Sequence, residues 1–178
     1  MMRRIVVTGT SGAGKTTLAR ELAERLRVRH IELDALHWGP DWTPNSDFAQ
    51  RVGEAVADEG WTLCGNYAPV RDMIYARADT VIWLDYPMST VFMRVLRRTL
   101  SRSITRQELW AGNRESLALA FCSRESILLW VITTWRRRRR DYPKMFASPM
   151  CRNLRVIRFR SPGQAQRWLE RVAGQEGR

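Results

Sequence analysis

The run Gly9-Thr10-Ser11-Gly12-Ala13-Gly14-Lys15-Thr16-Thr17 constrains this chain more than any other stretch. It matches G-x-x-x-x-G-K-[ST], the pattern of a phosphate-binding P-loop. Glycines let the backbone turn tightly and bring successive N–H groups close to phosphate oxygens, where a side chain would collide. The helix that follows adds its unpaired N–H groups and the positive end of its dipole. Lys15 is then placed to reach the β- and γ-phosphates of ATP, and the Thr16 hydroxyl to help hold Mg²⁺. The flanks agree: Ile5 to Thr8 read as a buried strand, while Leu18, Ala19, Leu22, Ala23 and Leu26 recur at helical spacing.

A length of 178 residues suits one α/β domain with a sizeable core. Alternating strands and helices of the lengths seen here predict parallel βαβ units with right-handed crossovers. The strands are expected at Arg3 to Thr8, Arg29 to Leu33 (ending at Asp34), Trp61 to Cys64, Thr80 to Asp85 and Leu154 to Phe159. Between them a helix is expected from the loop to about Arg27. A second carries Phe48, Val52, Ala55 and Val56 on one face behind a cap at Asn45 or Ser46. Further helices are expected at Val70 to Arg77, after Pro87, and at Gln164 to Val172. The interval between the last two strands is longer than one crossover needs, so residues 99–145 are expected to form a helical insertion that serves as a lid.

Three cysteines, Cys64, Cys122 and Cys151, form an odd, widely spaced set without a C-x-x-C pair. That argues against a disulfide framework or a zinc site and suits a reducing, cytoplasmic setting. The apolar run Ile127 to Trp135 precedes Arg136 to Arg140, but it falls short of the roughly 20 residues a membrane span needs. No secretion signal is expected, since only three apolar residues separate the charged start from the P-loop. The chain uses 28 arginines and only two lysines, with a net charge of +12. Such a charge attracts polyanions, so nucleic acid is a conceivable partner, though the charge does not select it over a nucleotide. Neither an Asn-Lys-x-Asp guanine-reading motif nor a Leu-Ser-Gly-Gly-Gln segment is present.

The combination of Gly9 to Thr17, Leu33-Asp34-Ala35-Leu36-His37-Trp38, Gly65-Asn66-Tyr67 and Leu84-Asp85-Tyr86-Pro87 resembles the adenylate-kinase-related P-loop kinases. More narrowly it is similar to the bacterial topology modulation, or FlaR-like, proteins, and Arg114-Glu115-Ser116 extends the likeness. The resemblance covers about residues 3–143. It implies a nucleoside-monophosphate-kinase-like fold with five parallel strands in the order 2-3-1-4-5, flanked by helices. It also implies an ATP- and Mg²⁺-dependent phosphoryl transfer to a small acceptor, with a nucleotide or nucleoside first. A small-metabolite kinase of the shikimate or gluconate type is the alternative, and a nucleotide-binding module acting on nucleic acid is another.

The residue roles follow. Gly9, Thr10, Ser11, Gly12, Ala13, Gly14, Lys15, Thr16 and Thr17 bind the triphosphate. Asp34, at a strand end facing the phosphates, orients or deprotonates the acceptor or helps hold Mg²⁺ with Thr16. Arg94 and Arg98 are four apart on one helix, so both can face a bound nucleotide. By resemblance they match positions lying against adenine and phosphates, and Arg114 matches a lid arginine that closes over the transferring group. Arg102 and Arg106 continue the same helical spacing. Asp85, preceding Pro87, reads first as a helix-start feature. In the resembled family an Asp commonly precedes Gly65-Asn66-Tyr67. Here Cys64 stands there, and a thiol is a poor ligand for a hard cation. Trp38, Trp42 and Tyr67 are positioned to cover or stack on an acceptor. Trp61, Trp83, Trp130 and Trp168 read as core, His37 as structural, and much of Arg136 to Arg140 as a solvated basic face.

Overall fold

A computed structural model describes residues 2–105, 110–112 and 127–175, with side chains placed at all of these except 102–105, 127–130 and 173–175. Arg106 and Arg114 lie outside the described residues, as do the side chains of Arg102 and Trp130. Strand β1 (Arg4–Gly9) leads through the P-loop into α1 (Lys15–Leu26), followed by β2 (Arg29–Glu32) and a helical turn α2 (Leu33–His37). Then come α3 (Phe48–Ala55), β3 (Trp61–Cys64), α4 (Arg71–Arg77), β4 (Thr80–Leu84) and α5 (Met88–Thr105). The described chain ends with α6 (Ile127–Phe146), β5 (Arg155–Phe159) and α7 (Pro162–Gln175).

The five strands form one parallel sheet in the order β2-β3-β1-β4-β5, as the sequence predicts. All-parallel strands need both faces covered, which explains their near-continuous apolar runs. Alternation assigns the faces. Ile5, Val7 and Ile82 pack with Ala19, Leu22, Val95 and Leu169 on one side. Val6, Leu63 and Val81 pack with Phe48, Val52, Ile74 and Tyr75 on the other. Trp61 is fully buried and Trp83 nearly so, while Trp168 packs at the core margin. Among the described residues no helix is long and apolar enough to cross a membrane.

Because the strands are parallel, their carboxyl ends share one edge of the sheet, where ligands of open α/β sheets bind. That edge gathers the P-loop after β1, Asp34 after β2, Asn66 after β3 and Asp85 after β4. Two local expectations change. The second strand stops at Glu32, and Asp34 sits in the first turn of α2 rather than at a strand end. Neither Asn45 nor Ser46 caps α3; Asp47 holds the N-cap position. Asn45 turns back instead, its Nδ2 donating to the Leu36 carbonyl at 2.9 Å and its backbone N–H to the His37 carbonyl at 2.7 Å. With the Trp38–Pro44 bridge, these bonds close the aromatic loop on itself.

Asp85, 4% exposed, accepts from the Nε and Nη2 of Arg158 through Oδ2, and Arg139 Nε lies 3.0 Å from Oδ1. Arg158 in turn stacks over Trp83 at 4.3 Å. Two guanidinium groups therefore occupy this carboxylate, and it ties β4, β5 and α6 together. Asp85→Ala should lower unfolding free energy by about 2 kcal/mol, since it removes the charge-assisted bonds that two half-exposed guanidinium groups make to a buried carboxylate. Urea unfolding of the variant beside the wild type measures this.

Candidate active site

The P-loop is shaped by three glycines in left-handed backbone conformations: Gly9 (φ 153°), Gly12 (φ 80°) and Gly14 (φ 90°). Gly12 is the most crowded. A Cβ there would stand 2.4 Å from Val95 Cγ2 and 3.0 Å from the Val91 carbonyl. No side chain fits, so α5 packs directly on the loop. Within the loop, Ala13 N–H donates to the Thr10 carbonyl at 3.1 Å, and Leu18 N–H to the Gly14 carbonyl at 3.1 Å as α1 begins.

Four cations surround this turn. Lys15 Nζ donates to the Thr10 carbonyl at 3.2 Å. Arg94 Nη1 donates to the Ala13 carbonyl at 3.2 Å, and Arg98 Nη2 to Ser11 Oγ at 3.4 Å. Arg138 Nη1, from α6, donates to the Gly9 carbonyl at 2.5 Å. In a run read from sequence as mostly solvated, Arg136, Arg137, Arg139 and Arg140 are exposed and Arg138 is the exception. Its helical phase gives the reason. Val131, Thr134 and Tyr142 are buried on α6, and Arg138 falls four residues from the latter two, on the inward stripe. Burial, followed by the nearby Arg138 charge, pulls the Lys15 pKa down to about 8.

On the opposite wall the Thr16 hydroxyl donates to Glu32 Oε1 at 3.0 Å, and Cys64 Sγ lies 3.5 Å from the same hydroxyl. Burial raises the Cys64 thiol to about 11, so it stays protonated at neutral pH. Parallel pairing sets Glu32 beside Cys64, so the carboxylate missing from β3 is present one strand over. Glu32 was not singled out in the sequence; its spacing of two from Asp34 at the end of a strand was the available signal. Tyr67 OH donates to Asp34 Oδ1 at 2.6 Å, leaving Oδ2 without that bond. His37 packs on Tyr67 at 4.4 Å and on Phe48 at 4.7 Å, a structural placement.

Lys15, Thr16, Glu32, Asp34, Arg94 and Arg98 converge on one cavity of about 550 Å³, with Trp110 also at its wall. Trp110 stands edge-on to Trp42 at 6.4 Å, and Trp42 to Trp38 at 5.7 Å. A second cavity, of about 340 Å³, opens between Gly14, Tyr86, Arg94 and Pro162. Asp85 takes no part in either. The arrangement offers amides and cations to a triphosphate, hard oxygens at Thr16 and Glu32 to a divalent ion, and a free carboxylate oxygen at Asp34 to a proton.

Comparison with known proteins gives the same class. A family profile described as an AAA domain matches residues 5–62. An uncharacterized protein, YqaC, of Bacillus subtilis is 26% identical over 106 residues, 57% of this chain and 60% of that protein. A shikimate kinase of Persephonella marina is 30% identical over 112 residues, 52% of this chain and 67% of the kinase. The chain thus matches 60% of the length of the first of these relatives and 67% of the second. Among solved structures, a shikimate kinase from Bacteroides thetaiotaomicron superposes with a TM-score of 0.55 over 100% of both chains, at 18% identity, a likeness of fold.

A lysine held near pKa 8 is partly neutral in mild alkali, whereas a bound triphosphate favours its charged form. ATP binding measured at pH 9 should therefore take up a proton that binding at pH 6.5 does not, and affinity should fall as pH rises through 8. Calorimetry in two buffers of different ionisation enthalpy reads the uptake, and Lys15→Ala should abolish it. The same depression makes the folded state gain stability with rising pH between about 8 and the ordinary lysine value of 10.5.

Proposed function

The chain belongs to the family of P-loop kinases that includes shikimate kinase, and from that premise we propose that it moves the γ-phosphoryl group of ATP onto a hydroxyl of a small metabolite. The observation that carries this reading is the convergence of Lys15, Arg94 and Arg98 with Asp34 on one cavity over the P-loop. The adenine ring occupies the smaller cavity between Arg94 and Pro162, and the phosphates follow the loop amides from Gly12 to Thr16. Thr16 and Glu32 would hold Mg²⁺, which would supply neutralisation of the phosphate charge.

Asp34 accepts the proton of the acceptor hydroxyl through Oδ2 while Tyr67 fixes the carboxylate through Oδ1. The acceptor oxygen bonds to the γ-phosphorus as the bond to the β,γ-bridging oxygen breaks, and its electron pair leaves with ADP. Lys15, Arg94 and Arg98 face the charge that spreads over the equatorial oxygens. In the resemblance stated above, Arg114 of the 99–145 lid segment adds to this closure. A nucleoside or nucleotide acceptor is a second reading, and the aromatic wall of Trp38, Trp42 and Trp110 is what favours it, since bases stack on such rings. The cations turned toward the cleft, rather than along an outer face, favour either acceptor over nucleic acid.

Purified protein with MgATP should phosphorylate at least one member of a panel of hydroxy acids, sugars, sugar phosphates, nucleosides and nucleoside monophosphates. With that acceptor, Asp34→Asn should lower kcat by about 10²- to 10⁴-fold and leave ATP affinity within a factor of a few. Glu32→Gln should raise the Mg²⁺ concentration needed for half-maximal rate. Phosphorylation that persists unchanged in Lys15→Ala would show that the donor does not use the P-loop.

A further inference from the structure

The two edges of the sheet are not alike. On one side β2 has four residues, of which only Arg29 is exposed. On the other, β5 exposes Arg155, Val156 and Arg158, and among the described residues its only strand neighbour is β4. The hydrogen bonds of β5 show which backbone groups are engaged. The Arg155 N–H donates to the Asp79 carbonyl at 3.0 Å, and the Phe159 carbonyl accepts from the Asp85 N–H at 2.9 Å. In a parallel pair every second residue faces the same neighbour, so Arg155, Ile157 and Phe159 turn their N–H and C=O groups to β4. Val156 and Arg158 therefore turn theirs to the open side. Beyond them the row ends, because the Arg160 N–H donates to Gln164 Oε1 at 2.8 Å.

The surroundings of this edge carry one sign of charge. From Tyr142 to Leu169 the chain has six cations, Lys144, Arg152, Arg155, Arg158, Arg160 and Arg167, and no Asp or Glu. Carboxylates from the neighbouring strand do not restore the balance. Asp79 turns Oδ2 to the N–H groups of Arg3 and Arg4, at 2.9 and 2.8 Å. Asp85 is shared by the guanidinium groups of Arg139 and Arg158. Between these charges Val156 offers an apolar side chain that is 38% exposed, and Ile157 is half-buried on the opposite face. A second copy of this chain is a poor partner, since pairing two β5 strands would crowd their arginines together. An acidic strand meets the reverse situation.

We propose that the open edge of β5 docks an extended, acidic peptide segment of another protein, which adds to the sheet as a further strand. Main-chain bonds to Val156 and Arg158 supply the pairing, and side chains supply the choice. Acids opposite Arg155 and Arg158, with apolar residues opposite Val156 and Ile157, give the order acid-apolar-apolar-acid. That order reads the same in either strand direction. Neither donor cavity is lined by any residue from Arg155 to Arg160, so the docking edge is separate from the P-loop and independent of the kinase reading.

The probe is acetyl-Thr-Glu-Val-Val-Glu-Thr-amide, added to the isotope-labelled full chain at about 0.15 M salt, where long-range attraction is screened. Amide exchange followed by NMR should slow at Val156 and Arg158 and change little at Ile157, whose N–H already serves β4. The same peptide with Lys in place of Glu should not bind. A version N-methylated at both valines keeps its charge but loses strand bonds in either direction, and should bind at least about tenfold more weakly. Arg155→Glu, an exposed change that keeps the backbone bond to β4, should weaken the acidic peptide to a similar degree. Binding of an ATP analogue should stay unchanged in that variant. If the acidic peptide protects neither amide, or if Arg155→Glu binds it equally well, the docking edge is disproved. If the N-methylated peptide or a short thymidine oligonucleotide binds as tightly, β5 is only a cationic strip open to any polyanion, and strand addition is disproved.

Discussion

The contact between Gly12 and α5 governs the geometry of everything at the sheet edge. Val91 and Val95 are buried on that helix, and Val95 comes so close to the loop that even a methyl group at position 12 would overlap it. With the helix seated there, Arg94 lies one residue before Val95 and Arg98 a further turn along, and both reach over the loop. A bulkier residue at position 12 would push α5 away and withdraw two cations together. The glycine thus does two things: it gives the backbone a left-handed turn, and it sets the distance between a phosphate cradle and its guanidinium cover.

The electrostatics of that cradle are those of a site waiting for a polyanion. Lys15, Arg94, Arg98 and Arg138 each bond to an oxygen of the loop itself, so their charges are held close together around it. Burial first, and then the Arg138 charge beside it, disfavours the charged form of Lys15, the one cation of the four able to lose its proton. A triphosphate reverses the balance. It replaces weak carbonyl partners with strong anionic ones, and the repulsion among the cations becomes attraction to a shared ligand. Protonation and nucleotide binding are therefore two faces of one equilibrium at this lysine.

Much of this was readable from the chain. The P-loop is a local motif, parallel strands follow from alternating βα units, their order follows from the family resemblance, and Arg94 and Arg98 share a helix face through a fixed spacing of four. Asp34 was also reachable, although the strand before it ends two residues sooner than the apolar pattern suggests. What escaped depends on relations between distant segments. Arg138 is one of five consecutive arginines, and composition treats all five alike. Only the phase of α6, set by Val131, Thr134 and Tyr142, turns that one inward while Arg139 goes to Asp85 and Arg140 to Asp141. Asp85 likewise needed β5 and α6 in place before its two partners could be seen.

Cys64 shows how a departure from an expected pattern can mislead when a sequence is read strand by strand. Alone, the loss of a carboxylate there points to weak handling of a hard cation. In the sheet, Glu32 is the register partner of Cys64, and neighbouring strands stand only about 4.8 Å apart. A glutamate side chain spans that gap, and its carboxylate meets the Thr16 hydroxyl directly. The buried, protonated thiol lies 3.5 Å from the same hydroxyl and is a poor ligand for a hard cation. The chemistry of the site is a property of where an oxygen ends up, and two adjacent strands offer two routes to the same point.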